Sequence, residues 1–368
     1  RDRRQRQMCI RDRDKGYLKI MRIEDEIKLT FDDVLIRPKR STLVSRSEVI
    51  LERDFKFKHT DVTWTGVPIF SANMDTTGTF ETAVTLQKHK MLTAIHKFYS
   101  LEEWKNNIEK LDPEFISVTV GQSDDDLNLG KKIFELNNDI KYLCIDVANG
   151  YREDFIDSVK NYRETFPNKI IIAGNVATRE MTEALILAGA DIVKIGIGPG
   201  SVCTTRSVAG VGYPQLSSIS ECSDAAHGLG GHVMADGGCK YPGDISKAFG
   251  AGADYVMLGG MFAGHKESGG ELVTDDDGIQ YKDFYGMSST KAQQTYYGDL
   301  AEHRAAEGKK VRLKYKGDLD NTVQKILGGM RSACSYVGAK KLKDLPKSTT
   351  FIRVTQTTNE IYTGSENN

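Results

Sequence analysis

The stretch DIVKIGIGPGSVCTTR, residues 191–206, places a short apolar run directly before a loop rich in glycine. The apolar run is typical of a strand buried on both faces. Glycine allows backbone angles that other residues resist, and proline fixes its own φ. The loop is therefore restrained around a single thiol, that of Cys203.

The same unit recurs along the chain from Pro68 onward. Apolar runs alternate with amphipathic segments, such as residues 152–166 and 179–190, whose apolar residues have helical spacing. The runs occupy residues 67–72, 91–96, 115–120, 142–147, 170–174, 191–196, 231–236 and 254–259. Eight alternating units predict an α/β fold in the form of a closed (β/α)8 TIM barrel. Periodicity alone cannot close a barrel, so an open doubly wound sheet is the alternative.

Polar and glycine residues gather at the ends of the predicted strands. Lys97 follows strand two, Asp146 ends strand four, and residues 236–238 follow strand seven. Active sites of barrel enzymes lie at the carboxyl ends of the strands, so these are candidate site residues. The glycine pairs of ADGG and LGG follow strands seven and eight, where barrels commonly bind phosphate through backbone N–H groups. Gly-Gly is also ordinary turn chemistry, but two such pairs on consecutive strands favour phosphate binding.

Two connections are predicted to be longer than average. The loop after strand six spans residues 197–214, and the segment after strand eight spans residues 261–318 before a helix in residues 321–338. Loops of this length are usually lids, binding loops or disordered segments. The barrel is therefore predicted to carry extended loops after strands six and eight.

Cys203 has three interpretations from the residues alone. A free cysteine is most often a small buried hydrophobic residue. Beside Arg206 and two threonine hydroxyls, it can instead be an activated nucleophile. The glycine carbonyls of the loop could equally ring a monovalent cation.

The other cysteines carry less information. The six cysteines include no CxxC pair, so neither a disulfide framework nor a zinc knuckle is predicted, and a reducing compartment is expected. Cys144 and Cys334 lie in apolar contexts and are predicted to be core residues. Cys222 with His227 and His232 lacks the spacing of zinc ligands, and no zinc is expected.

The first twenty residues differ in composition from the rest. They carry a net charge of +5 and the whole chain −1, so the remainder carries −6, which argues against a nucleic-acid or membrane surface. No apolar run approaches the roughly 18 residues of a membrane span. MCIRDR resembles a translated sequencing adapter, so residues 1–20 are expected to be a non-native extension and Met21 the native start. A nuclear or mitochondrial targeting signal is the alternative, although its aspartates oppose a transit peptide.

Taken together, stretches between Met21 and Val354 resemble the IMP dehydrogenase / GMP reductase family. They are LTFDDVLIRPKRSTLVSRSEV, SANMDTTGTF, AIHKFYSLEEW, CIDVANGY, AGNVAT, GIGPGSVCTTR, GVGYPQLSS, ADGG, VMLGGMFAGH, FYGMSS, HRAAEG and GGMRSACSYVGA. Unrelated barrels do not share this set in this order. The resemblance implies that residues 21–368 form a single TIM-barrel catalytic domain, because residues 97–114 leave no room for the inserted CBS pair of the dehydrogenases.

Both branches of this family attack C2 of a purine nucleotide with the loop cysteine. The dehydrogenases transfer hydride to NAD and hydrolyse the adduct, whereas the reductases expel ammonia from GMP and take hydride from NADPH. Residues 288–318 have no evident counterpart of the dehydrogenase flap with its Arg-Tyr pair. The resemblance thus implies NADPH-dependent reductive deamination of GMP to IMP through a cysteine thioimidate, in purine salvage. The alternative is dehydrogenase-type oxidation of IMP to XMP.

By motif match, the resemblance implies a role for individual residues. Cys203 would form the thioimidate, while Thr205 and Glu307 would move the proton that lets ammonia leave. The residues implied to bind the nucleotide are Asp236, Gly237, Gly238, Gly259, Gly260, Gly286, Met287, Ser288, Arg304, Ala305, Ala306, Glu307 and Gly308. Those implied to bind NADPH are Ser45, Arg46, Lys97, Asp146, Val147, Ala148, Ile197, Gly198, Met287, His303, Arg304, Ser332, Ala333, Cys334 and Ser335. The carbonyls implied to ring a potassium ion belong to Gly198, Gly200, Cys203 and Arg206.

The resemblance also implies a cytoplasmic homotetramer that shares cofactor contacts between subunits. Two other classes of function remain in view. A catalytically silent nucleotide-binding protein would be expected to lose Cys203, Thr205 or Glu307, and all three are present. A flavin-dependent barrel oxidase would share the phosphate loops but does not explain the cysteine.

Overall fold

A computed structural model describes residues 23–296, 298 and 305–355, so the predicted extension at residues 1–20 lies outside the described residues. Eight strands form the central sheet, as the periodicity predicts. In chain order they are β4 (Ile69–Ser71), β5 (Leu92–Ile95), β6 (Ile116–Val120), β7 (Tyr142–Asp146), β8 (Ile170–Val176), β9 (Ile192–Ile195), β10 (His232–Asp236) and β11 (Tyr255–Leu258). Every neighbouring pair is parallel, and β11 pairs with β4 to close the ring. The (β/α)8 TIM barrel is therefore confirmed and the open sheet is wrong.

Helices follow the strands on the outside of the barrel, and the amphipathic segments singled out in the sequence are among them. Their bounds are Phe80–Leu86, Leu101–Asn107, Asp124–Leu136, Glu153–Thr165, Arg179–Ala188, Gln215–Gly228, Pro242–Gly250 and Leu319–Val337. Further helices among the described residues are Thr205–Val208, Thr290–Tyr296 and Leu345–Ser348. Within the described part of the chain, no helix has the length and apolar character needed to cross a membrane.

The alternation of side chains along each strand divides the core into two layers. On β7, Tyr142 and Cys144 face the barrel interior, while Leu143 and Ile145 belong to the cluster that packs against the surrounding helices. Both sets are fully buried, which explains why the strands read as continuous apolar runs. Cys144 and Cys334 are both buried, as predicted from their apolar contexts.

The amino-terminal end of the barrel is closed by a hairpin that the strand rhythm does not predict. Strands β2 (Arg53–Lys56) and β3 (Thr63–Gly66) pair antiparallel, and a short strand β1 (Val34–Ile36) precedes them. Phe55 of the hairpin stacks on Tyr255 with ring centroids 4.5 Å apart. The hairpin therefore lies at the opposite end of the barrel from the candidate site residues at the carboxyl ends of the strands.

The long segment after β11 is more ordered than a loop. It contains an antiparallel sheet of β12 (Leu272–Thr274), β13 (Gln280–Tyr285) and β14 (Lys310–Lys314). The expectation that residues 261–318 form a loop is therefore wrong in part, because β-branched and aromatic residues in this charged stretch pair across three strands. Near the carboxyl end of the chain, β15 (Phe351–Arg353) pairs with β1.

A charged network ties the hairpin to β10 and β11 at the closed end. Asp254 is buried and accepts hydrogen bonds from Arg53 at 3.1 Å and from His227 at 2.7 Å. His232 bonds through Nε2 to the carbonyl of Lys56, and its Nδ1 lies 3.4 Å from Asp254. Burial alone would lower the pKa of His232, but the interaction with Asp254 outweighs it and raises that pKa.

We predict that this network makes folding stability depend on pH. A histidine pKa raised by folding stabilises the protein fully below the ordinary value of about 6.5, and this contribution is lost as pH rises through the raised pKa. The free energy of unfolding should therefore fall as pH rises above neutrality, and His232→Gln should flatten that slope. Urea denaturation at a series of pH values measures it. His59→Gln is the control, because the His59 ring bonds to the carbonyl of Ile186; equal flattening in both variants would contradict the assignment to His232.

Candidate active site

Two glycines of the loop after β9 make room for an arginine side chain. Gly198 has φ +81°, and a Cβ there would lie 2.7 Å from Cγ of Arg206. A Cβ on Gly212 would lie 2.8 Å from the same atom, so the side chain passes between two glycines. Its Nη2 donates to the carbonyl of Tyr213 at 2.7 Å. The sequence predicts this arginine beside the thiol of Cys203. In the structure, its guanidinium group bonds to Tyr213 near the end of the loop.

Cys203 lies next to a hydroxyl group. Its Sγ is 3.2 Å from Oγ1 of Thr205, the first residue of the helix Thr205–Val208. Its backbone N–H donates to the carbonyl of Gly200 at 3.1 Å. A hydroxyl both donates and accepts, so Thr205 can pass a proton to or from a group bound at the sulfur.

A distant segment pairs with this loop through the backbone. The N–H of Thr204 donates to the carbonyl of Glu307 at 3.0 Å, and the N–H of Lys309 donates to the carbonyl of Val202 at 2.9 Å. The N–H of Glu307 in turn donates to the carbonyl of Ser288 at 3.1 Å. The structure thus brings together the three predicted catalytic residues and the predicted base-binding residues 286–288.

The glycine pairs after β10 and β11 close on the start of the same loop. Gly237 has φ +85°, and a Cβ there would lie 3.3 Å from the backbone nitrogen of Gly200. A Cβ on Gly260 would lie 3.1 Å from Oγ of Ser201. The backbone of the glycine pairs therefore lies close to Gly200 and Ser201 with no Cβ between them, which suits an anion such as phosphate. Sequence reasoning missed Ser201, although it lies within the quoted loop.

A cavity of about 550 Å³ opens beside the paired segments. Its lining includes the predicted residues Ala148, Ile197, Thr205, Ser288, Ala305 and Glu307, together with Asn149, Tyr151, Ala209, Val211 and Gln293. The second group was not predicted. Asn149 and Tyr151 could have been found from their place just beyond β7, whereas Ala209, Val211 and Gln293 carry no chemical signal in the sequence.

Comparison with known proteins points to one family. The profile of the IMP dehydrogenase / GMP reductase domain matches residues 28–361. A GMP reductase from Caenorhabditis elegans is 58% identical over 345 residues, which are 93% of this chain and 96% of the relative. GMP reductases from Shigella boydii serotype 4 (strain Sb227) and Escherichia coli (strain K12 / DH10B) are 59% and 58% identical over 93% of this chain and 99% of each relative. The chain belongs to the IMP dehydrogenase / GMP reductase family. The prediction that it is an enzyme is thereby confirmed.

In this chain, a group of charged side chains lies at the carboxyl end of the barrel. Lys194 lies on β9 and is buried; its Nζ donates to Asp146 at 2.6 Å and to Asp236 at 3.0 Å. Asn175 donates to the same oxygen of Asp236 at 2.8 Å. Asp146 and Asp236 were predicted to bind the cofactor and the nucleotide, whereas Lys194 was missed because a lysine inside an apolar run carries no motif.

Other predicted cofactor residues lie elsewhere. The helix Leu319–Val337, which carries residues 332–335, packs near the turn Arg46–Glu48, so the predicted residues at 45–46 and 332–335 form a second group. Cys334 is buried, and burial raises its pKa to about 11. Among the described residues, this group does not line the cavity. The predicted residues His303 and Arg304 lie outside the described residues.

We predict that Gly198→Ala destabilises the protein more than Gly210→Ala does. Both glycines have positive φ, +81° and +68°, but a Cβ on Gly210 would meet no atom within 4 Å. Each alanine costs roughly 1–2 kcal/mol for the left-handed backbone, and Gly198→Ala should cost about 1–3 kcal/mol more because it displaces Arg206. Urea unfolding of the two variants gives the difference; equal losses would show that Arg206 does not need the glycine.

Proposed function

We propose that this protein catalyses the NADPH-dependent reductive deamination of GMP to IMP and ammonia, in purine nucleotide salvage. The observation that carries the proposal is the meeting of Cys203, Thr205 and Glu307 through the backbone pairing of residues 202–204 with 307–309. Relatives named GMP reductase, at 56–59% identity over nearly their whole length, support the choice of substrate.

The residues divide the chemistry as follows. Cys203 Sγ bonds to C2 of GMP, and the exocyclic amine leaves as ammonia once it has been protonated. Glu307 and Thr205 would move that proton, and their position in the cavity lining supports this role. Bound NADPH would supply the hydride that C2 receives; as the C–S bond breaks, the Cys203 sulfur regains a proton. With two protons taken up, the products are IMP, NADP⁺ and ammonium.

The chain offers groups that fit the nucleotide and the cofactor. The closely approaching backbone at Gly237 and Gly260 and the hydroxyl of Ser201 would hold the phosphate of GMP. Asn175 Oδ1 is buried with no described partner, so it can accept a hydrogen bond from a ribose hydroxyl or a carboxamide. Ala148 and Ile197 line the cavity where the nicotinamide would enter.

The loop also fits a potassium ion. Of the carbonyls of Gly198, Gly200, Cys203 and Arg206, the hydrogen bonds of the described residues engage that of Gly200 alone. Backbone carbonyls without protein donors are ligands that potassium prefers. The ion would hold the loop in shape around Cys203.

We propose a cytoplasmic homotetramer in which the group at residues 45–46 and 332–335 contributes to the cofactor site of a neighbouring subunit. The described residues of this group do not line the cavity of their own subunit, which supports this arrangement. The mass of the active protein in solution tests this arrangement. We expect the mass of four chains, and an active monomer would contradict the proposal.

We predict that the purified protein oxidises NADPH when GMP is added and does not reduce NAD when IMP is added. Absorbance of the reduced cofactor measures both directions in one instrument. NAD reduction with IMP, without NADPH oxidation with GMP, would instead establish the dehydrogenase alternative and overturn the proposal.

Variants of two residues should separate the steps. Cys203→Ala should lose at least roughly 10⁴-fold in GMP reduction, because the covalent path is gone. Glu307→Gln should lose roughly 10²- to 10⁴-fold, because an amide cannot relay the proton. The reverse hydride step, from IMP and NADP⁺ to the covalent adduct, involves no amine and should survive in Glu307→Gln alone.

Stopped-flow absorbance measures that step as a burst of NADPH formation. A burst in Cys203→Ala would show that the thiol is not the nucleophile. GMP reduction by Glu307→Gln at the unmodified rate would show that Glu307 does not carry the proton.

A further inference from the structure

Three adjacent strands bring one row of residues across the carboxyl end of the barrel. Asp146 on β7 is in register with Gly174 on β8, and Gly174 is in register with Lys194 on β9. These three positions continue the inward-facing series of each strand, because Cys144, Ile172 and Ile192 belong to the interior cluster. Period-two alternation therefore points Asp146 and Lys194 into the barrel rather than toward the helices.

Gly174 provides the space for this row. A Cβ on Gly174 would lie 2.6 Å from Cβ of Lys194 and 2.6 Å from its carbonyl oxygen. The absence of a side chain lets the lysine reach across β8 to Asp146, two strands away. In the other direction it reaches Asp236 on β10, which Asn175 also holds.

The ammonium group is enclosed, but its two partners face outward. The Lys194 side chain is 3% exposed, whereas those of Asp146 and Asp236 are 28% and 20% exposed. Burying an ammonium lowers the stability of the fold unless the ammonium is fully paired. A hydrophobic residue at the same core position would often leave the fold equally or more stable. The arrangement instead ties two carboxylates to one ammonium at the mouth of the barrel, which points to a role in the site.

We propose that Lys194 is a positioning residue that ties the Asp146 carboxylate of the cofactor site to the Asp236 carboxylate of the nucleotide site. This inference rests on the proposed function, which assigns those two sites. Loss of Lys194 would free both carboxylates to rotate and would misalign the cofactor with C2 of the nucleotide bound at Cys203.

The charges around the row support the same role. Burial alone would raise the pKa of Asp146, but Lys194, then Lys97 and a hydrogen bond from Asn73, outweigh burial and lower it. Burial raises the pKa of the neighbouring Cys144 to about 12, so its thiol stays neutral near neutral pH. Without Lys194, burial would act on Asp146 against Lys97 and Asn73, and the pKa of Asp146 would rise.

The test compares Lys194→Met and Lys194→Arg by steady-state kinetics over a range of pH. Lys194→Met should lower kcat/KM for GMP reduction by roughly 10- to 100-fold, because small misplacements of reacting groups have effects of that size. Its KM values for GMP and NADPH should both rise, and the acid limb of its pH profile should move to higher pH. Lys194→Arg should restore the acid limb, since it keeps the charge, while kcat/KM stays below that of the unmodified protein because its planar fork fits two separate carboxylates poorly.

Lys169→Met is the matched control. Lys169 is also a buried lysine, and it directly precedes β8. Its Nζ bonds to Asn138 and to the carbonyl of Ile140, not to a carboxylate. Its loss should lower the melting temperature and leave the pH profile of kcat/KM unchanged. An equal shift of the acid limb in Lys169→Met would show a general effect of stability.

The inference is overturned if Lys194→Met keeps its acid limb and a kcat/KM within roughly threefold of the unmodified protein. Should Lys194→Met fail to fold, an unmodified kcat/KM in Lys194→Arg overturns it, and a reduced kcat/KM with an unchanged acid limb supports it. The unmodified protein is assayed first. Absence of GMP-dependent NADPH oxidation there contradicts the proposed function, whereas normal oxidation with an unaffected Lys194→Met contradicts this inference alone.

Discussion

The site depends on one pair of backbone hydrogen bonds, between the loop after β9 and the segment before β14. Thr204 donates to Glu307, and Lys309 donates to Val202. Both bonds join backbone atoms, so neither depends on the identity of a side chain. The pairing thus holds the backbone around Cys203 next to the backbone around Glu307. The two segments are far apart in the chain, and their approach converts two ordinary loops into one cavity.

The barrel supplies the rigid base for this pairing. The glycine pairs after β10 and β11 approach the start of the cysteine loop because no Cβ stands between them. Beside these glycine pairs, Lys194 on β9 holds the carboxylates of Asp146 and Asp236. The glycine pairs, the loop with the thiol and the charged group thus lie at the ends of neighbouring strands, from β7 to β11.

The strands, the barrel and the residues at the strand ends could be predicted from the sequence, because buried parallel strands read as apolar runs and glycine marks close backbone approach. The hairpin of β2 and β3 could not be predicted, because the role of Phe55 and Trp64 is seen only where they pack against the amino-terminal end of the barrel. Nor could the pairing of Thr204 with Glu307, which involves backbone atoms alone. Lys194 could not be predicted for a related reason. Its contact with Asp146 depends on the register of Asp146, Gly174 and Lys194 across three strands, which the sequence does not show.

The most direct test of a thiol and an acid held together for covalent chemistry is to look for the covalent bond. The protein is mixed with IMP and NADP⁺, quenched in acid and digested, and the peptides are weighed by mass spectrometry. We expect the peptide containing Cys203 to gain the mass of IMP less two hydrogens, with no such gain on the peptides of Cys144, Cys222, Cys239 or Cys334. An adduct on one of those cysteines, or none on Cys203 while NADPH is formed, would contradict this arrangement of the site.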